Sequence, residues 1–184
     1  MKKTLALTAL GALLLCSSLA HAQATATASG QLTLSVGAEA NISVDPTDAF
    51  STAGAFANYT ATTNFKYQVR TASTGTGTIQ VAISAAGDFS NGSGGAPSAN
   101  NPPTGDSLQI TTCTAAVGTA CSSALTINST AQTVVSFGHS THAGAPGAVS
   151  STGAAGSVGW ALTNDPGYPA GSYTATTTWT ISAT

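Results

Sequence analysis

Charge is nearly missing from this chain. Only 5% of its 184 residues are Asp, Glu, Lys or Arg, against roughly 25% in ordinary soluble proteins. Four residues are basic, and two of these, Lys2 and Lys3, sit at the extreme N-terminus. Without them Lys66 and Arg70 face six acidic residues, a net charge of −4. So few cations argue against a nucleic-acid partner, which is held through Lys and Arg on phosphate. Long apolar runs are also lacking. The longest, residues 5–15, falls short of the ~20 residues of a transmembrane helix, so no membrane-spanning segment is expected. Solubility has to come from Thr, Ser, Asn and Gln, a composition suited to extracellular fibres, surface layers and adhesins.

The N-terminus reads as an export signal, residues 1–22. Lys2 and Lys3 form a positive region, residues 5–15 an apolar one, and Ala20-His21-Ala22 a small-residue cleavage site. Cys16 follows Leu15, which is too large for lipoprotein processing. Cleavage leaves residues 23–184, a comfortable length for one domain, exported to the periplasm in transit and then to the cell surface or beyond.

Cysteine is as scarce as charge. Of three, only Cys113 and Cys121 survive cleavage, and an even pair in an oxidising compartment reads as a disulfide. Seven residues separate them, a loop short enough that the chain-entropy account gives roughly 2.5 kcal/mol. Two cysteines with no histidine nearby are poor metal ligands, and no metal or cofactor is expected.

What the chain has is alternation. A period of two marks half-buried β-strands, because successive side chains point to opposite faces. Residues 31–44 place Leu32, Leu34, Val36, Ala38, Ala40, Ile42 and Val44 on one face. Extended, that run would span about 45 Å, so it bends at Gly37 or projects beyond the body. Residues 63–70 point Phe65, Tyr67 and Val69 inward, and after Thr74-Gly75-Thr76-Gly77 the returning Ile79, Val81 and Ile83 suggest a hairpin. Residues 87–105 read as a long surface loop. Leu108 and Ile110 lead to Cys113, and Leu125 and Ile127 follow Cys121, a second hairpin closed by the disulfide. Val134, Val135 and Phe137 form a further strand, and residues 138–156 a flexible loop. Val158, Trp160 and Leu162 alternate in the penultimate strand. Residues 171–184 form the last, with Tyr173 and Trp179 as anchors opposite a row of threonines. The sum is an all-β, Greek-key immunoglobulin-like β-sandwich of about eight strands with one disulfide, its core anchored by Phe65, Tyr67, Trp160, Tyr173 and Trp179.

Catalytic constellations are thin. His139 and His142 flank Ser140, but His142 stands where a nucleophile elbow needs glycine, and no third metal ligand is near. Asp45 and Asp48 resemble the carboxylate pair of a glycosidase, yet their Asp-Pro-Thr-Asp context is turn chemistry. Asp88, Asn91 and Ser93 lack the spacing and the closing Glu of a calcium loop. The threonine row lacks the repeat of an ice-binding surface. No catalytic residue is assigned, and an enzyme is not expected.

Pro169-Ala170-Gly171-Ser172-Tyr173, followed by alternating Thr and apolar residues, resembles the end of the spore coat protein U domain, a family that includes subunits of archaic chaperone–usher pili. The resemblance implies an incomplete immunoglobulin-like sandwich, completed by an N-terminal strand of the next subunit. Residues 24–36 look like that donor, with Leu32, Leu34 and Val36 as its groove-filling side chains. The implied partners are further copies of the chain in a homopolymer, a periplasmic chaperone and an outer-membrane usher. A second resemblance is to cell-surface WxL domains, through Trp160-Ala161-Leu162 and through Tyr173 with Thr178-Trp179-Thr180-Ile181. It implies a monomeric module bound to a cell wall.

The disulfide generates a direct test. Intact mass of the exported, non-reduced protein is expected two hydrogens below the dithiol value, and alkylation before reduction should label neither cysteine. Two free thiols would end the assignment.

Overall fold

Strands dominate because most of the alternating segments find a neighbour. The computed structural model describes residues 31–84, 88–89, 97–99 and 106–184. The expected export signal and residues 24–30 of the expected donor lie outside the described residues. The chain divides into residues 1–34 and a compact unit, residues 35–184, and the fold described here is that of the second.

Eleven strands are formed among the described residues, more than the eight expected because four have only two residues: β1 Glu39–Val44, β2 Ser51–Thr52, β3 Tyr59–Arg70, β4 Gly77–Ile83, β5 Leu108–Ala115, β6 Thr119–Ala120, β7 Leu125–Thr126, β8 Gln132–Phe137, β9 His142–Ala143, β10 Ala154–Leu162 and β11 Thr177–Ala183. One helical turn, α1 Val149–Thr152, precedes β10. The larger sheet runs β1-β3-β10-β5-β7, with β2 and β9 also on β3, and the smaller runs β11-β4-β8-β6. Every pairing is antiparallel. The all-β reading, the two sheets and the disulfide are borne out.

The core lies between the sheets. Phe65, Tyr67 and Val69 of β3 and Val158, Trp160 and Leu162 of β10 meet Ile79, Val81 and Ile83 of β4 and Val134, Val135 and Phe137 of β8, all buried. Three of the expected anchors are thus fully in the core. Tyr173 and Trp179 are not: both are only partly buried, packed against its margin. Trp179 lies on β11, which stands at the edge of its sheet, and Tyr173 precedes that strand.

Two expected hairpins are corrected. β3 and β4 do not pair with each other, for they belong to different sheets. Their inward side chains face one core from opposite sides, which produces the same alternation as a hairpin would. The connecting residues are held by Thr71 N–H on the Thr141 carbonyl and Ala72 N–H on the Thr184 carbonyl, both 2.9 Å. At the second site β5 does pair with β7, but β6 between them leaves for the smaller sheet and pairs with β8. The Cys113–Cys121 bond, with Cα atoms 5.4 Å apart, therefore ties one sheet to the other instead of joining neighbours in one sheet.

Tyr67 closes the same side. Its hydroxyl donates to the Val117 carbonyl at 2.5 Å and accepts from the Val117 N–H at 2.9 Å. Gly118, next in the turn, has φ +95, and a Cβ there would lie 2.8 Å from the Phe137 ring. A side chain would be both strained and obstructed at that position.

Residues 138–156, expected to be a flexible loop, are largely fixed. They contain β9, α1 and the start of β10, and Gln68 Nε2 donates to the carbonyls of Ala145 and Gly147. The long first run is a strand only over β1, because β3 offers partners only from Glu39↔Arg70 to Val44↔Phe65. The last strand likewise begins at Thr177, not at residue 171. Beyond the Ser84 N–H bond to the Thr176 carbonyl, β4 has ended, and no described strand pairs with residues 171–175.

Two phenols make stability depend on alkali. Burial holds Tyr67 above its ordinary value, against the lowering effect of its backbone partners. Burial, reinforced by the bond to Asp106, raises Tyr168. Both are neutral in the fold, whereas the unfolded phenol ionises near pH ~10. Their contribution is fully present below that pH and is lost as pH rises through and beyond it. Denaturant midpoints should stay level from neutrality to about pH 9 and fall above pH ~10, less steeply in Tyr67→Phe. An equal slope in that variant would show that Tyr67 is not coupled to folding.

Candidate functional site: the open edge of the last strand

β11 has a neighbour on one side only. It pairs with β4 from Thr177↔Ile83 to Ala183↔Gly77, and no strand lies on its other side among the described residues. The Ser84 bond to Thr176 and the Thr184 N–H bond to the Thr76 carbonyl set the phase of the ladder. Antiparallel strands exchange both backbone bonds at every second residue, so Thr178, Thr180 and Ser182 direct theirs to β4. The N–H and C=O groups of Thr177, Trp179, Ile181 and Ala183 point away, to the open edge.

The side chains at three of those positions face the core, because the pleat has the same period as the ladder. Trp179, Ile181 and Ala183 pack on it while keeping partial exposure, and the Trp179 ring lies 5.3 Å from that of Phe65. Gly156 of β10 permits this layer, since a Cβ there would sit 2.4 Å from the Phe65 ring. Across the gap stands β1, the edge strand of the other sheet, with Ile42 and Val44 also half-covered. Both sheets thus end on the same side, and the apolar margin of each is incompletely covered.

The gap deepens past the end of β1 and before the start of β11. A cavity of about 290 Å³ opens there, floored by the buried Ile83, Leu108 and Trp160 and walled by Ala175 and Thr177. Its polar wall is structural. Trp160 Nε1 donates to Thr63 Oγ1 at 2.7 Å, and that hydroxyl donates to the Asp48 carboxylate. Asp45 accepts from Asn64 Nδ2 at 3.3 Å, and its N–H donates to the Asn64 carbonyl. Both aspartates therefore serve the turn after β1.

The expected donor side chains occupy the opposite extreme. Leu32 is 100% exposed, Leu34 84% and Val36 55%, and residues 31–38 form no strand. With Phe56 they are the exposed large hydrophobic residues of the described chain.

The remaining candidates are dispersed. His139 Nδ1 lies 2.7 Å from the Gly75 carbonyl oxygen, and His142 Nδ1 lies 3.3 Å from that of Ser140. Ser140 adopts a left-handed φ of 52, and its N–H donates to Ala72. No hydrogen bond joins the Ser140 hydroxyl to either imidazole among the described residues. Asp88 accepts from Ser98 and from the Ala99 N–H, while Asn91 and Ser93 lie outside the described residues. No group of three metal-ligating side chains occurs among the described residues, and no described helix is long and apolar enough to cross a membrane. Comparison with protein-family models, with curated proteins and with solved structures found no match.

The position of the edge was not readable from the sequence, where β11 looks like any two-sided strand. Its Thr-rich outer face and its half-covered inner face differ only in what stands beside them. Amide exchange of the monomer reads this directly. The amides of Trp179, Ile181 and Ala183 should exchange at least tenfold faster than those of Thr178, Thr180 and Ser182. Uniform protection along β11 would mean that its outer edge is covered.

Proposed function

We propose that this protein is an exported structural subunit of a fimbrial or extracellular-matrix fibre that polymerises by strand donation. Residues 24–36 of one copy lie along the open edge of β11 in the next. The observation that carries this reading is the coexistence in one chain of an unpaired strand edge and an exposed, alternating apolar segment. An edge strand offers N–H and C=O groups that an extended segment can satisfy, and residues 31–36 are about as long as β11, on the order of 20 Å each. Leu32, Leu34 and Val36 repeat at the spacing of the inward positions of β11. Burying each would contribute roughly 1.5–3 kcal/mol. The segment carries no charge, so its burial strands none.

The sheet order supports an immunoglobulin-like Greek key short of one strand. β1, β3, β10 and β5 stand in the order of strands A, B, E and D of that fold, and β4 with β11 in the positions of C and F. The place beside F, where the fold's last strand belongs, is the open edge. The resemblance of the chain's end to spore coat protein U domains and archaic pilins implies the same completion. A periplasmic chaperone that shields the edge before assembly, and an outer-membrane usher, follow from it. Catalysis has no part in this role. The alternative, a monomeric cell-wall-binding module of WxL type, predicts a single small species for the full chain.

Deleting residues 24–36 should abolish fibres and leave an exported monomer of reduced stability. Native, non-boiled electrophoresis reads both arms: a ladder for the full chain and a single band for the deletion. A truncated chain that still polymerises would overturn strand donation, and a sharp monomer from the full chain would favour the wall-binding module.

A further inference from the structure

A second cavity, of about 500 Å³, lies at the end of the sandwich where β3 begins and β10 finishes. That volume falls within the range of small-molecule sites. Phe56, Asp165 and Tyr168 line this cavity and do not line the gap beside β11. We propose that it is a binding site for a neutral saccharide.

Three aromatic residues on the cavity wall, Phe56, Tyr168 and Tyr173, carry its apolar character, and both tyrosine hydroxyls are already engaged. The Tyr168 hydroxyl donates to the buried carboxylate of Asp106. The Tyr173 hydroxyl donates to the Pro169 carbonyl at 2.5 Å. With both hydroxyls engaged, neither needs a ligand to satisfy it. Phe56 completes the rim in an unusual state: the residue is 66% exposed and its backbone is left-handed, φ 57. The turn that keeps it there is pinned at Ala57. The Ala57 carbonyl accepts from Thr52 Oγ1 at 2.8 Å and from Asn164 Nδ2 at 3.1 Å, and the Ala57 N–H donates to Gly54. A strained, solvent-facing phenylalanine loses free energy on both counts, and such outliers cluster where a ligand is held. A sugar ring, with its apolar C–H face, is a natural partner for such a ring.

The polar groups complement hydroxyl donors. Asp165 Oδ1 accepts from the Gly167 N–H at 2.6 Å, which leaves Oδ2 free among the described residues. Asn164 spends its amide N–H on Ala57 and keeps its oxygen as an acceptor. Asp48, one oxygen of which accepts from Thr63, also lines the cavity. No Lys or Arg among the described residues lines the cavity, so anionic sugars and phosphates would be repelled. An organic cation would need only one carboxylate and a cage of rings. Three acceptor side chains, Asp48, Asn164 and Asp165, suit a ligand with several hydroxyls around apolar faces.

The site requires neither a polymer nor a donated strand, so it can be tested on the full chain in any state of assembly. The probes are an array of neutral oligosaccharides and, as an organic cation, tetramethylammonium, with affinities then measured by calorimetry. At least one neutral oligosaccharide should bind, Phe56→Ala should weaken it tenfold or more, and Asp165→Asn several-fold. Phe56 is exposed, so the first variant should melt as the parent does. Absence of any neutral-sugar binding, binding unchanged in Phe56→Ala, or binding of tetramethylammonium without a sugar would each overturn the proposal.

Discussion

A β-strand with one neighbour satisfies only half of its backbone, and in this fold that strand is β11. Its position follows from the allocation of strands between the sheets. β4 can accept two partners and takes β8 and β11; β11, reached last in the described chain, has β4 alone. The same asymmetry leaves the Trp179, Ile181 and Ala183 layer half-covered. Unpaired backbone groups and exposed apolar side chains therefore fall along one line, and one extended segment could relieve both. The proposed role in assembly depends on that coincidence more than on any single residue.

The opposite side of the sandwich is closed by three unlike devices. A covalent bond, Cys113 to Cys121, spans the sheets. The Tyr67 hydroxyl, projected from the middle of β3, holds both backbone groups of Val117. Gly118 allows the turn between β5 and β6 to pass under Phe137 without obstruction. A protein with so little charge has few ion pairs for such a task; Arg70 with Glu39 is the ion pair among the described residues. Local hydrogen bonds and a disulfide take that place. The closed side keeps the sheets in register while the other edge stays unsealed.

Much of the fold was legible because burial imposes a period of two. Phe65, Tyr67, Val158, Trp160 and Leu162 declare their inward faces, and the structure buries all five. Alternation marks which way a side chain points, however, and not which strand stands beside it. β3 and β4 alternate like the arms of a hairpin, but they face the core from opposite sheets. Strand ends were misjudged for a related reason. Residues 171–175 and 32–38 alternate as well as the strands that follow them, and lack only a strand partner among the described residues. Phe56 was invisible, since an exposed phenylalanine in a turn carries no pattern. Its left-handed backbone belongs to the local geometry.

Arg70, the last residue of β3, bears on mechanics. Its guanidinium meets Glu39 at 2.9 Å, and its Nε donates to the Gly37 carbonyl at 2.8 Å. The first paired residue of β1 and the backbone just before it are thus fastened to the neighbouring strand. In a fibre whose subunits are joined through their N-terminal segments, tension would enter each subunit at that fastening. The load would then run along β1 parallel to its ladder with β3, so that six residue pairs resist together in shear. A link pulled across its ladder would open one pair at a time. One arginine at the entry to β1 would therefore help set whether such a fibre stretches or parts.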